Sequence, residues 1–215
     1  GETKGRLARI RRNIPSEGAG PVDQRVPLIV ARDEAQRPIA VLFNYACHNT
    51  AHGGDWNKID GDWSGYASAK IEELSEGLVA LSLIGCGADA NPHPRGTLDL
   101  TKQHGESLAL DVRAEALRDL ARLPHVVTCK LTHVDLPWQT VPSKEEFEKR
   151  KDQPGIVGHH ARYYLKKLAA GEKIDAPLKY PIATWTFGDD LAMVFLAGEV
   201  VIDYTIALSE RCQQD

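Results

Sequence analysis

The 215-residue chain has few cysteines and only one methionine. Its four cysteines, Cys47, Cys86, Cys129 and Cys212, lie far apart and form no C-x-x-C pair, which excludes a zinc ribbon and a thioredoxin-type redox motif. An even count permits two disulfides in three connectivities, but buried free thiols are the preferred reading. Long apolar runs are also missing. The strongest, around Leu78–Ala88 and Leu191–Ala197, fall well short of the ~18–20 residues that a bilayer span needs, so no transmembrane segment is expected. No block of five or more Lys/Arg occurs, and 26 basic residues against 30 acidic leave a net charge of −4, which argues against a nucleic-acid partner. Low-complexity tracts, internal repeats and Pro/Ser linkers are absent, and apolar segments recur throughout, so disorder is excluded as well. The chain starts Gly1-Glu2-Thr3 without an initiator Met or a signal peptide, and is expected to be a trimmed product or a piece of something longer.

What is present reads as one α/β domain: a mixed β-sheet core flanked by helices. Residues 1–24 are expected to be irregular, with Pro15, Gly18, Gly20 and Pro21 as punctuation. Val26–Ala31 and Ile39–Tyr45 read as a strand pair, and Leu78–Ile84 as a third strand. Helices are expected over Asp62–Glu76, stopped by Gly77, and over Gln103–Arg122, with Leu108, Val112, Ala116 and Leu120 on one stripe. His125–Leu136 reads as a strand. Ser143-Lys144-Glu145-Glu146 has the form of a capping box, opening a helical region broken at Pro154-Gly155. Ile182–Phe187 and Leu191–Leu196 flank the turn signal Gly188-Asp189-Asp190, and Val201–Arg211 is the last helix.

Three apolar strands each run out into a loop rich in polar or ionisable residues. The first loop holds His48, His52, Asp55, Asp60 and Asp62, the second Asp89, Asn91 and His93, and the third Glu199. Strand ends of α/β sheets gather ligand sites because neighbouring loops project into one crevice. A His and a carboxylate held there suit Zn²⁺. His48 and His52 are four apart, but no Glu follows the first His and a strand exit is the wrong setting for a zincin helix. Asp62 reads as an N-cap and loop organiser and Tyr66 as a packing residue. His93 is expected on a surface loop and His159-His160 on an exposed helix. Neither Ser64 nor Ser68 sits in a nucleophile elbow, and Gly85-x-Gly87 lacks the rest of a nucleotide-binding fingerprint.

Three stretches in order are more specific: Phe43-Asn44-Tyr45-Ala46-Cys47-His48-Asn49-Thr50, Asp62-Trp63-Ser64-Gly65-Tyr66-Ala67-Ser68, and Gly85-Cys86-Gly87-Ala88-Asp89-Ala90-Asn91-Pro92. With Gly20-Pro21-Val22-Asp23 before them and Ala197-Gly198-Glu199 after, the set resembles the neutral/alkaline (non-lysosomal) ceramidase family. The resemblance runs from about Arg11 to the end and is weakest over Leu136–Lys179. It implies a zinc amidohydrolase that cleaves the N-acyl bond of ceramide, acting on a small-molecule or lipid amide substrate in a secreted or periplasmic setting. By the same resemblance His48, in the place of the family's His-x-Thr histidine, and Glu199, in that of its Pro-Gly-Glu glutamate, are zinc ligands. Arg11 or Arg12 stands near the family's Asn-Arg-Ser arginine, with Ile10 where the Asn would be.

Two departures are visible. The family's Gly-Asp-Val-Ser-Pro loop reads Ala88-Asp89-Ala90-Asn91-Pro92 here, so Asn91 stands at the serine position. An amide is no nucleophile, but its NH₂ can donate to a developing oxyanion, and Asn91 assisted by Asp89 is assigned that orienting role. The family's upstream His-x-His-Ser-Gly ligand and downstream Tyr ligand have no match, which leaves two ligands where a catalytic zinc site has three. Alternative readings are a hydrolase of a different amide or ester on the same scaffold, and a non-catalytic lipid- or glycan-binding homologue.

Overall fold

The computed structural model describes residues 2–4, 8–11, 20–174 and 177–212. The chain forms two compact units, one made of residues 1–122 and 198–215 and the other of residues 123–197. The first unit is built on a four-stranded sheet of β1 (Glu2–Lys4), β3 (Arg25–Arg32), β4 (Pro38–Tyr45) and β5 (Val79–Ile84), in that order. The β1–β3 and β3–β4 pairs are antiparallel and β4–β5 is parallel, which makes the sheet mixed as expected. Parallel neighbours need a crossover, and α1 (Asp62–Glu73) lies on that connection. Strand alternation selects the buried face: Val26 and Leu28 on β3, and Val41, Phe43 and Tyr45 on β4, all point into the core. The opposite face leaves Val79 and Leu81 on β5 about half exposed.

Helix α2 (Leu98–Ala116) packs on α1 and closes this core with Leu108, Ala109, Val112 and Ala116. The two helices approach very closely at Gly105, where a Cβ would stand 2.6 Å from the Tyr66 Cβ and 2.7 Å from the Trp63 carbonyl. Both helices stop earlier than their sequence pattern predicts, and in both cases a distant arginine takes the terminal carbonyls. Arg113 Nε donates to the Leu74 carbonyl at the end of α1. Arg32 Nη2 donates to the Ala116 and Arg118 carbonyls at the end of α2. The start of α2 is also earlier than expected, because the Thr97 hydroxyl caps it by accepting from the Leu100 N–H.

Two further short strands, β2 (Ala8–Arg11) and β6 (Ala90–His93), pair antiparallel. Together with β1 they show that the segment expected to be irregular contains strands. They also place His93 on a strand, though exposed, because a two-stranded ribbon tolerates the prolines that made the sequence read as a loop. Helix α5 (Ile202–Cys212) completes this unit.

The second unit holds the three-stranded antiparallel sheet β7 (Val127–Leu136), β8 (Leu178–Phe187) and β9 (Leu191–Leu196). Its helices are α3 (Lys144–Arg150) and α4 (Gly155–Ala169), and the latter carries His159-His160 exposed, as expected. The β8–β9 hairpin turns at residues 188–190, and α3 opens with the full Ser143–Glu146 capping box. All four cysteines are free, but only Cys47 is buried: Cys86 is intermediate and Cys129 and Cys212 are exposed, because the strand and helix carrying the last two show those faces to solvent. Among the described residues no helix is long and apolar enough to cross a membrane.

Candidate functional site

β4 and β5 run parallel, so their C-terminal ends discharge on the same side of the sheet. The β4 exit carries His48 and the β5 exit carries Ala88–Asn91, and the two loops are stitched by the His48 N–H donating to the Ala90 carbonyl at 3.0 Å. His48 is fixed at two more points. Its carbonyl accepts from Trp63 Nε1 at 2.8 Å, and Trp63 is itself locked edge-on against Tyr45 in the core. Its ring Nε2 lies 2.8 Å from the Ala88 carbonyl. The loop before Ala88 passes so close to β4 that a Cβ on Gly87 would sit 2.4 Å from the Ala46 carbonyl carbon and the Cys47 nitrogen; only glycine fits.

Glu199 reaches the same place from the far end of the sequence. The Ala88 N–H donates to the Val200 carbonyl at 3.1 Å, and Asp89 Oδ1 accepts from the Ile202 N–H at 3.2 Å at the start of α5. These bonds hold the 199–202 segment against the β5 loop and bring Glu199 Oε2 to 3.8 Å from His48 Nε2. The His48 ring is largely covered while the Glu199 side chain is 73% exposed, so the pair faces outward on one side.

Asn91 is buried, and its Oδ1 accepts from the Thr50 hydroxyl at 3.0 Å and from Arg95 Nη1 at 3.3 Å. Asp89 is buried too, with the contact to α5 just described. Arg11 enters through its backbone: in the β2–β6 pair it lies opposite Ala90, with Ile10 opposite Asn91. Its side chain lies outside the described residues, as does Arg12 altogether.

A second, connected feature is a cleft of about 640 Å³ lined by Thr50, His52, Trp56, Lys58, Asp60 and Arg95, among others. Asp62 organises its floor. With φ of 52° and its carboxylate buried, it accepts from the N–H groups of Ala51 (3.0 Å), His52 (3.1 Å) and Trp63 (2.8 Å), which tie the loop to the start of α1. Asp60 is nearby. Its Oδ1 accepts from the Asp62 N–H and its Oδ2 from the Tyr66 hydroxyl, so Tyr66 bonds the loop rather than only packing. His52 Nε2 stands 2.9 Å from Asp60 Oδ1, off the line of a full hydrogen bond, and the imidazole stacks on Trp56 with centroids 4.3 Å apart. Burial works to raise the Asp60 pKa, but contact with His52 and the bonds from Asp62 N–H and Tyr66 outweigh it and hold the carboxyl below its ordinary value. Tyr66 is pushed up, first by burial and then by its bond to Asp60.

The structure thus brings His48 and Glu199 together, sets Asn91 one loop away, and uses Asp89 to hold the Glu199 segment. The 3.8 Å spacing is close to the ~3.4 Å between two ligands ~2.0–2.2 Å from a tetrahedral zinc, but His48 Nε2 also lies 2.8 Å from the Ala88 carbonyl and would have to give up that contact to hold a metal. Among the described residues no third His, Cys, Asp or Glu joins them. Thr50 and Arg95, the partners of Asn91, were not singled out in the sequence; a Pro-Arg-Gly loop has no periodicity to mark an arginine as inward-acting.

No protein-family model matches the chain, and no curated protein matches it in sequence. Among solved structures it is similar to the neutral ceramidase of Pseudomonas aeruginosa, with a TM-score of 0.60 and 16% identity over 90% of this chain and 39% of that one. It is likewise similar to a ceramidase complexed with C2, with a TM-score of 0.60 and 15% identity over 90% of this chain and 40% of the other. The chain therefore has the fold of part of these proteins and spans about two-fifths of their length.

Proposed function

We propose that the chain carries the central part of a zinc-dependent amidohydrolase that hydrolyses an N-acyl, ceramide-like amide bond. The observation that supports this best is the meeting of His48 Nε2 and Glu199 Oε2 at 3.8 Å on a scaffold with the ceramidase fold. In this reading His48 and Glu199 hold the metal, and a longer parent chain supplies the remaining ligands. When bound, zinc polarises an amide carbonyl and lowers the pKa of water toward ~7.

The chain's own residues do the rest. Thr50 and Arg95 fix the Asn91 Oδ1, which sets the direction of the Asn91 NH₂ as a donor toward the carbonyl oxygen. Asp89 is a positioning residue: it keeps Glu199 in reach of His48 by holding the start of α5. Arg11, opposite Ala90, is the further candidate for substrate contact. The substrate is a small-molecule or lipid amide, and a secreted or periplasmic enzyme is the setting that suits it.

Zinc content of the purified chain, measured beside His48→Ala and Glu199→Ala, tests the ligand pair, and an amide and ester panel on a zinc-loaded parent tests the reaction. Metal that is lost in both variants, with amide turnover by the parent, is the expected result. A zinc-loaded parent inert on every amide and ester would remove the hydrolase reading. Asn91 at the serine position favours a second reading, a non-catalytic lipid- or glycan-binding homologue; parental turnover that disappears in Asn91→Ala excludes it.

A further inference from the structure

The cleft beside Asn91 contains five charged side chains, and the two signs are used differently. Asp62 gives both oxygens to three backbone N–H groups, and Asp60 gives both of its own to Asp62 N–H, Tyr66 and His52. Those two carboxylates are spent on building the loop. Asp55 alone among the acids has no such task. The two cations are not spent. Among the described residues neither Lys58 nor Arg95 pairs with a carboxylate, in a protein whose net charge is −4. Lys58 lies over the Trp56 ring, 5.3 Å from its centroid. Arg95 engages only Nη1, at 3.3 Å to Asn91 Oδ1 and a long 3.4 Å to Thr50 Oγ1, both neutral acceptors. The Nε and Nη2 donors of its fork have no acceptor among the described residues.

A guanidinium with an open edge, in a cleft wall, is shaped for a planar two-oxygen anion. Trp56, which also lines the cleft, is stacked on the buried His52. Arg95 also touches Asn91, so whatever it binds lies next to the group that would face the scissile carbonyl.

We infer that Arg95, with Lys58, makes this cleft a subsite for a carboxylate, so that the amide taken by the site, N-acyl as in ceramide, carries an amino acid in place of ceramide's neutral amino alcohol. The inference rests on the proposed reading of the site for where the amide lies. Its test does not need turnover. Binding of N-octanoylglycine and of its neutral counterpart N-octanoylethanolamine is measured calorimetrically on this chain, on Arg95→Leu and on Arg95→Lys. The chain binds the glycine conjugate about tenfold or more tightly, as a charge-assisted bidentate pair requires. Arg95→Leu brings the two ligands within about twofold, Arg95→Lys restores part of the gap, and added salt narrows it. Equal affinity for the two ligands, a preference that survives Arg95→Leu, or no binding of either overturns the subsite. If the preference holds while a zinc-loaded parent turns over no amide, the hydrolase reading fails and the carboxylate subsite stands.

Discussion

Asp62 offers the sharpest test of how the loop around the site is held. Its buried carboxylate accepts three backbone N–H bonds, two on Oδ1 from Ala51 and Trp63 and one on Oδ2 from His52, at a backbone φ of 52°. Asp62→Ala removes all three acceptors. Each buried donor left unpaired costs about 1–3 kcal/mol, and a β-carbon without a local hydrogen bond in the left-handed region adds about 1 kcal/mol. The sum is about 4–6 kcal/mol, since solvent reaches part of the exposed loop and relieves some of the loss. That is a large share of a domain's total of about 5–15 kcal/mol. Asp62→Asn separates the terms. Asparagine tolerates the same φ and keeps Oδ1 with its two bonds, but sets an NH₂ against the His52 N–H, so about 2–3 kcal/mol is expected. Asp62→Gly loses the carboxylate but not the backbone conformation, and should be about 1 kcal/mol milder than Asp62→Ala. Urea unfolding followed by tryptophan fluorescence reads all three as midpoint shifts at unchanged slope, with Asn moving by about 1 M at a slope of about 1–3 kcal/mol/M. If Asp62→Ala stays within about 1 kcal/mol of the unmodified chain, or if the Asn and Ala variants coincide, the carboxylate does not organise the loop.

Two other outcomes follow from the same geometry. Gly87→Ala drives a Cβ into the backbone of Ala46 and Cys47, 2.4 Å away, so a loss at the upper end of the about 1–3 kcal/mol typical of overpacking is expected in a thermal melt. On the proposed reading zinc affinity falls with it, because the same loop carries the bonds that place Glu199. Asp60, held below its ordinary value of 3.8, binds protons less readily folded than unfolded, so its contribution is complete above pH 3.8 and is lost as pH falls through the lower folded value. Asp60→Asn should flatten that acid limb in stability measured against pH; a limb of unchanged slope would mean that other carboxylates carry it.

Much of the fold is written locally. Alternation at Val41, Phe43 and Tyr45 marks β4 and its buried face, the Ser143 capping box fixes the start of α3, and Gly188-Asp189-Asp190 fixes the last hairpin. Errors fall where distant groups decide. The pattern continues past the true ends of α1 and α2, which stop where Arg113 and Arg32 take their carbonyls, and both arginines lie far away in sequence. β6 was hidden by Pro92 within it and Pro94 after it, and by a partner strand about eighty residues upstream. At the site, His48 and Glu199 were singled out from ordered motifs, and the fold brings them to 3.8 Å. Arg95 and Thr50 were not legible, since a hydrogen bond across two loops leaves no period. Asp62 was readable as a loop organiser but not as the N-cap it was expected to be: Gly61 holds that position without a side-chain cap bond, and Asp62, the first residue of α1, gives its carboxylate to three N–H groups at positive φ.

The discontinuity of the first unit sets an order of events during synthesis. Residues 1–122 leave the ribosome first, and the 75 residues of the second unit must follow before residues 198–215 can join them. Until then the Ala88 N–H and the Asp89 carboxylate lack their partners at Val200 and Ile202, and His48 lacks Glu199. A nascent chain therefore carries His48 early and Glu199 late, and the two meet only after the whole second unit has been made. On the proposed reading, metal capture waits until the segment through Ile202 is made, and a message truncated within the second unit yields a chain with His48 but without Glu199.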